Sequence, residues 1–344
     1  MRRLFSASAA LLAAVLLFSG CQSAVSPTES QSTGILSSGT TITQPTTAAT
    51  TVPTRPPFPT EQLASPVAIL YEVETGETFF EREADRLVAP ASITKLMTAI
   101  TALLYCREEE EMTVGADMLE PVMYDASRAG LEEGMRLTVR MLVEGLLLSS
   151  GCDAGYVLGV GVGRKLAGDP ALPAREAAAL FSAHMTDLAH SFGATDTTFL
   201  NPDGYDADRH LTTARDLVLI CRQALLDPRI AEIVAQHEVT RTLLSGETRT
   251  FQNSNYLLVS DQSGMVTGLK TGFHDRAGYC LAFSYEYEGR CYIGLVMGCP
   301  DPRQRWLDAE SLIFWHTGRF TNEELLISTT GTVGTLTGTT TAHD

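Results

Sequence analysis

Strand-like sequence stands at both ends of the folded part of this chain, and helical periodicity fills the middle. Residues 67–73 form a compact β-rich run, Glu74-Thr75-Gly76-Glu77 reads as a turn, and Thr78-Phe79-Phe80 begins a partner strand. Helical patterns dominate from about residue 92 to 235, most clearly over 137–148, 171–192 and 212–226. β-Rich runs return over 265–270, 279–287 and 290–297, the last two joined at Glu288-Gly289 as a hairpin, and a final helical pattern covers 303–315. Strands split in this way around a helical insertion predict an α+β fold, with an antiparallel β-sheet flanked by helices and an inserted helical subdomain. At 344 residues and 44% hydrophobic content the chain can bury a sizeable core.

The helical middle opens on Ala89-Pro90-Ala91-Ser92-Ile93-Thr94-Lys95-Leu96. No helix breaker follows Pro90, and Leu96, Ala99, Ile100 and Leu103 recur at helical spacing, so Ser92 is expected at the N-terminal end of a buried helix. Lys95, three residues on, then lies on the same face. A serine beside an amine is a candidate nucleophile, and a helix start supplies free N–H groups suited to a developing oxyanion. Ser-x-x-Lys more often means an N-cap serine and a surface lysine. Lysine usage argues for chemistry: Lys95, Lys165 and Lys270 are the three lysines among 25 Lys and Arg, which suggests positions that need an amine able to lose its proton.

The formal net charge of −16, with no basic block after residue 3, argues against a nucleic-acid partner. Arg2 and Arg3 precede an apolar run over about residues 9–18, too short for a membrane span and suited to a signal-peptide core. The run ends Leu17-Phe18-Ser19-Gly20-Cys21, which resembles a bacterial lipoprotein signal, so residues 1–20 are expected to be removed and Cys21 lipidated. Ordinary secretory cleavage nearby is the alternative. Residues 21–60, rich in Ser, Thr and Pro, are expected to form a disordered tether, 61–325 the folded domain, and 326–344 a disordered tail. The protein is therefore expected to be exported and held on the outer face of the membrane. His184, His190 and His210 do not cluster with acidic residues at zinc spacing, and no metal or other cofactor is implied. With Glu288-Gly289 as the turn, Cys280 faces Met297 and lies diagonal to Cys299; a bridge between the two cysteines and buried free thiols are both open.

Two further stretches carry polar residues to a cleft. In Leu146-Leu147-Leu148-Ser149-Ser150-Gly151-Cys152-Asp153-Ala154 an apolar helix ends and a loop is expected to follow. Gly268-Leu269-Lys270-Thr271-Gly272-Phe273 reads as the end of a strand. Ser-x-x-Lys, a second Ser-x-x about 60 residues later, and Lys-Thr-Gly near the C-terminal strands resemble the motif set of penicillin-binding proteins and class A β-lactamases. Within that group the chain resembles the low-molecular-weight D-alanyl-D-alanine carboxypeptidases over about residues 63–320. It shares Ala89-Pro90-Ala91, Phe199-Leu200-Asn201-Pro202-Asp203-Gly204, residues 210–217 and Ala277-Gly278-Tyr279. It departs from that family at Asp203, usually His, and at Cys152, usually Asn.

The resemblance implies a fold like that of β-lactamases and penicillin-binding transpeptidases, and a serine carboxypeptidase acting on peptidoglycan stem peptides that end in D-Ala-D-Ala. Ser92 would form an acyl-enzyme, Lys95 would take its proton, and Ser150 would relay a proton to the leaving D-alanine. The N–H groups of Ser92 and Phe273 would make the oxyanion hole. Lys270, Thr271 and Gly272 of the Lys-Thr-Gly run would bind substrate, with the terminal carboxylate on Lys270 and Thr271 and assistance from Arg305. Cys152 would lie in the cleft, leaving the enzyme slow but active, and β-lactams would acylate Ser92. A class A β-lactamase needs a carboxylate where this chain has Thr197. Two alternatives remain: a DD-transpeptidase, which differs only in the acyl acceptor, and a peptidoglycan-binding protein impaired at Cys152.

Overall fold

The computed structural model describes residues 57–318. The expected signal peptide, Cys21, the tether up to residue 56 and the tail over 326–344 lie outside the described residues. The chain runs β1 (Val67–Glu72), β2 (Thr78–Arg82), α1 (Thr94–Tyr105), β3 (Glu111–Thr113), α2 (Ala116–Leu119), β4 (Arg136–Thr138), α3 (Val139–Leu147), α4 (Cys152–Ala167), α5 (Ala174–Ser191), α6 (Ala214–Leu226), α7 (Pro228–Val234), β5 (Glu238–Thr242), β6 (Thr248–Gln252), α8 (Tyr256–Ser260), β7 (Val266–His274), β8 (Gly278–Tyr287), β9 (Arg290–Cys299) and α9 (Gln304–Thr317). A 3₁₀ turn over Ala91–Ile93 leads into α1.

The main sheet is antiparallel, in the order β2-β1-β9-β8-β7. β1 pairs with β9 from Val67↔Met297 to Glu72↔Tyr292, which closes the two ends of the domain on each other. Alternate residues of a strand face opposite sides of its sheet, and here both sides are apolar. Val67 and Ile69 of β1, Cys280 and Ala282 of β8, and Ile293, Leu295 and Met297 of β9 pack into the larger core with α1, α3, α4 and α6. Ala68, Leu70, Leu281, Phe283, Tyr285 and Val296 meet α9 on the other side. Phe58, inside the stretch read as tether, belongs to this second core; its ring meets Phe80 at 5.0 Å and Trp315 at 5.6 Å, edge on. The α+β architecture is the one the sequence led us to expect.

Besides the short β3–β4 pair inside the stretch read as helical, two elements differ from the sequence reading. The loop expected after Leu148 is short, and Cys152 begins the 16-residue helix α4. Gly155, Gly159, Gly161 and Gly163 give this segment a poor intrinsic helix propensity. Tertiary packing overrides it: a Cβ on Gly163 would stand 2.0 Å from the Ala177 carbonyl oxygen of α5, and one on Gly159 3.1 Å from Pro202. The second difference is the β5–β6 hairpin, paired from Glu238↔Gln252 to Thr242↔Thr248, with Phe251 buried beneath it.

The six cysteines of the described region are free. A register shift between Tyr279 and Leu281 places Cys299 opposite Tyr279. Cys280 packs into the larger core, whereas Cys299 Sγ lies 3.7 Å from Asp308 of α9, so the two thiols face different layers.

Candidate active site

Ser92 sits in the 3₁₀ turn before α1, held from two sides by glycines. A Cβ on Gly204 would stand 1.9 Å from the Ala91 carbonyl oxygen, at a φ of +83°. A Cβ on Gly272 would approach Ala91 Cβ at 3.2 Å and the Pro90 carbonyl oxygen at 3.3 Å. The loop before Tyr205 and the edge strand β7 can therefore press against the turn that presents the serine.

Lys95, on the first turn of α1, is fully buried. Its Nζ donates to Ser92 Oγ at 2.7 Å, to the Asp203 carbonyl at 2.6 Å and to Cys152 Sγ at 3.4 Å. Cys152 reaches this point from the start of α4, and burial pushes its thiol pKa up despite the neighbouring amine. Ser150, with φ +56°, occupies the turn between α3 and α4 and lines the same cleft. That turn is fixed by two residues the sequence reading missed. Asp153 accepts backbone N–H groups of Ala129, Gly130, Leu131 and Ala154 at 2.8–3.0 Å, clamping the preceding loop onto the start of α4. Ser127 on that loop donates to the Ser150 carbonyl at 2.7 Å, and its own carbonyl accepts Cys152 N–H at 2.8 Å. An aspartate in the first turn of a helix is a readable signal once the helix is known; Ser127 lies in an aperiodic stretch with none.

β7 supplies the opposite wall. Lys270 is buried behind it, with Nζ 3.2 Å from the Thr271 carbonyl and 3.3 Å from Thr271 Oγ1. Burial, reinforced by the charges of Lys95 and Arg305, holds its pKa well below the usual lysine range. Thr271 also bonds Ser254 Oγ at 2.7 Å, another cleft residue the sequence did not reveal. Phe273 is half exposed and stacks on Tyr279 at 4.2 Å. Arg305, at the start of α9, reaches the cleft between Trp306 and Tyr279, 4.3 and 5.4 Å from their ring centres, and donates to the Gly272 carbonyl at 3.1 Å. Burial lowers its pKa, and its Nε has no protein partner among the described residues.

The cleft between these walls measures about 340 Å³ and is lined by Ser92, Ser150, Cys152, Asp203, Thr271, Gly272, Phe273 and Arg305, among others. Its back depends on His210, a buried imidazole that bonds Thr94 Oγ1 at 2.9 Å and the Leu200 N–H at 3.1 Å. Because Nδ1 must accept from Leu200, the ring is neutral and Nε2–H donates to Thr94. Burial lowers its pKa to about 4. Thr197 is committed elsewhere, to Thr212 at 2.8 Å and Asp216 at 2.7 Å. Lys165 corrects the reading of lysine usage: it stands outside the cleft, and its bonds to Glu110, both at 2.8 Å, raise its pKa and hold it protonated.

A serine hydroxyl hydrogen-bonded to a buried amine, faced by a second buried amine and a guanidinium, is suited to acyl transfer from a substrate that carries a carboxylate. The comparisons agree with that chemistry. Residues 50–301 match the family described as D-alanyl-D-alanine carboxypeptidase, peptidase family S11. The chain is 31% identical over 247 residues to a D-alanyl-D-alanine carboxypeptidase of Streptomyces, covering 70% of this chain and 82% of that one. It is 30% identical over 257 residues to DacA of Escherichia coli, covering 72% of this chain but 59% of the relative. The crystal structure of a Streptomyces DD-transpeptidase superposes with a TM-score of 0.68 at 29% identity, covering 76% of this chain and 98% of that one. Penicillin-binding protein D2 of Listeria monocytogenes, in an ampicillin-bound form, superposes at 0.60 with 28% identity, covering 74% of this chain and 97% of that one.

Proposed function

Because this chain belongs to the D-alanyl-D-alanine carboxypeptidase family, we propose that Ser92 is the nucleophile of a serine DD-peptidase that removes the terminal D-alanine from peptidoglycan stem peptides. The observation that carries the assignment is the buried Lys95 amine 2.7 Å from Ser92 Oγ. Lys95 takes the serine proton as Oγ attacks the carbonyl between the two D-alanines. Ser150, across the cleft, relays that proton from Lys95 to the departing D-alanine nitrogen, leaving Lys95 a neutral amine. The N–H groups of Ser92 and Phe273 receive the oxyanion, donors fixed in place before charge develops. Lys270, Thr271 and Arg305 form the anion-binding end of the site, where a free terminal carboxylate offsets the burial that lowers the pKa of Lys270 and of Arg305. Cys152 takes one of the three contacts of Lys95 as a weak partner in place of an amide. β-Lactams, which resemble D-alanyl-D-alanine, acylate the same oxygen.

Transfer of the acyl group to an amine is the second reading, supported by the Streptomyces DD-transpeptidase among the similar structures. Incubation with diacetyl-Lys-D-Ala-D-Ala separates the two. Release of D-alanine by the wild type, absent in Ser92→Ala, supports the peptidase; product that forms only when an amine acceptor is added supports the transpeptidase. No release under either condition refutes both.

We further propose export and anchoring at the outer membrane face through a diacylglycerol on Cys21, supported by Arg2, Arg3 and the apolar run that ends at that cysteine. Among the described residues no helix is long and apolar enough to cross a membrane. Cys21→Ala should move the protein from the membrane fraction to the soluble fraction; unchanged fractionation would refute the anchor.

A further inference from the structure

Once Ser92 is acylated, a second nucleophile must reach the ester and give up a proton. The position at which a class A β-lactamase carries a carboxylate for this step is Thr197, bonded to Thr212 and Asp216. Three carboxyl groups line the cleft, Asp125, Asp203 and Asp275, of which Asp125 and Asp275 are exposed. Asp203 is 1% exposed. Its Oδ1 accepts the Tyr205 N–H at 3.2 Å, while Oδ2 is buried without a protein partner among the described residues.

The position of this carboxyl group is set by its own backbone. The Asp203 carbonyl is the 2.6 Å acceptor of Lys95 Nζ, itself 2.7 Å from Ser92 Oγ. Asn201 ties the loop shut on both sides, accepting the Gly204 N–H and donating to the Tyr205 carbonyl, each at 2.8 Å. Gly155 leaves room on the α4 side, where a Cβ would stand 3.6 Å from Asp203 Cβ. There the charge of Asp203 adds to burial in raising the thiol of Cys152 and the phenol of Tyr156, one helical turn apart. A buried carboxylate oxygen without a donor is costly, and an O–H or N–H donor entering the cleft relieves that cost.

We infer that Asp203 is the base of the second half-reaction, its Oδ2 receiving the proton of the water or primary amine that attacks the acyl-enzyme on Ser92. This rests on the acyl-enzyme reading proposed above. In the step, the nucleophile's oxygen or nitrogen bonds to the acyl carbon, its proton passes to Asp203 Oδ2, and the C–Oγ bond breaks. Neutral Lys95 takes the proton from Asp203 and gives it to Ser92 Oγ, so that Asp203 is again a carboxylate and Lys95 again a free amine. The net change is one proton moved from nucleophile to Ser92 Oγ, with no charge left over.

The test uses the full chain with Asp203→Asn, which keeps an oxygen for the Tyr205 N–H, and Asp203→Glu as the conservative variant. Three quantities are read: the rate of labelling by a fluorescent penicillin, the pre-steady-state release of D-alanine from diacetyl-Lys-D-Ala-D-Ala, and the intact mass of the enzyme during turnover. For Asp203→Asn we expect penicillin labelling within about twofold of wild type and steady-state turnover lowered at least about 100-fold, the scale of a lost general base. A burst of one D-alanine per enzyme, with acyl-enzyme visible by mass, should accompany it. Asp203→Glu should recover part of the turnover, and an added amine should be used no better than water by Asp203→Asn. Unchanged turnover without a burst overturns the inference. So does an equal loss of labelling and turnover, which would make Asp203 a support for Lys95. Absence of penicillin labelling in the wild type would instead refute the acyl-enzyme reading, and this inference with it.

Discussion

His210 links the pH dependence of stability to the loop behind the nucleophile. Its imidazole is 1% exposed, and burial, the dominant cause, lowers its pKa to about 4 from an ordinary 6.5. Between those values the unfolded chain binds a proton that the folded one refuses. The contribution of neutral His210 is therefore complete above pH 6.5 and is lost as the pH falls toward 4. At about 1.4 kcal/mol per pH unit, the window is worth about 3 kcal/mol. The mechanism is local: a protonated ring has no acceptor for the Leu200 N–H, and Leu200 belongs to the loop whose Asp203 carbonyl holds Lys95. Urea unfolding at steps from pH 7.5 to 4.5 would measure it, with His210→Gln as comparator. The variant should be less stable at neutral pH, but its stability should fall less steeply on acidification, so the gap between the two proteins should close by about 2–3 kcal/mol. Parallel curves would show that His210 takes up its proton without cost in the folded state, and would refute the argument.

Other perturbations follow from the same geometry. Gly204→Ala places a methyl group 1.9 Å from the Ala91 carbonyl at a φ of +83°, so penicillin labelling of Ser92 should slow at least about tenfold as the turn shifts, with a fall in melting temperature. Asp153→Asn leaves one oxygen where a carboxylate serves four N–H groups; calorimetry should show a loss of about 2–4 kcal/mol. Arg305→Gln should lower kcat/KM about 10- to 100-fold for substrates with a free terminal carboxylate, chiefly through KM, and should change cleavage of the corresponding terminal amide far less.

Much of this architecture was legible in the sequence because it rests on local rules. β-Rich runs on both sets of strands, and an unbroken apolar helix after Pro90, are properties of short stretches, and the spacing of Ser92 and Lys95 becomes a 2.7 Å contact across the 3₁₀ turn and the start of α1. What could not be read depends on contacts distant in sequence. The glycines of α4 look like loop residues until Ala177 and Pro202 are seen against them. Ser127 and Ser254 are tied to the site by bonds to Ser150 and Thr271, 23 and 17 residues away. Lys165 shows the limit of a compositional argument, since a rare residue there proved to be an ion-pair partner. The departure at Asp203 is visible in the sequence, but its buried oxygen without a protein partner among the described residues is visible only in the fold.

The central claim is that Ser92, and no other residue, carries the acyl group. Treating the full chain with a penicillin, digesting it with trypsin and mapping the adduct by mass spectrometry tests this directly, because cleavage after Arg86 and Lys95 isolates Ser92 on a short peptide. One penicillin per chain, confined to that peptide and absent from Ser92→Ala, is the expected result. An adduct on any other peptide, or one that persists in Ser92→Ala, would contradict the account.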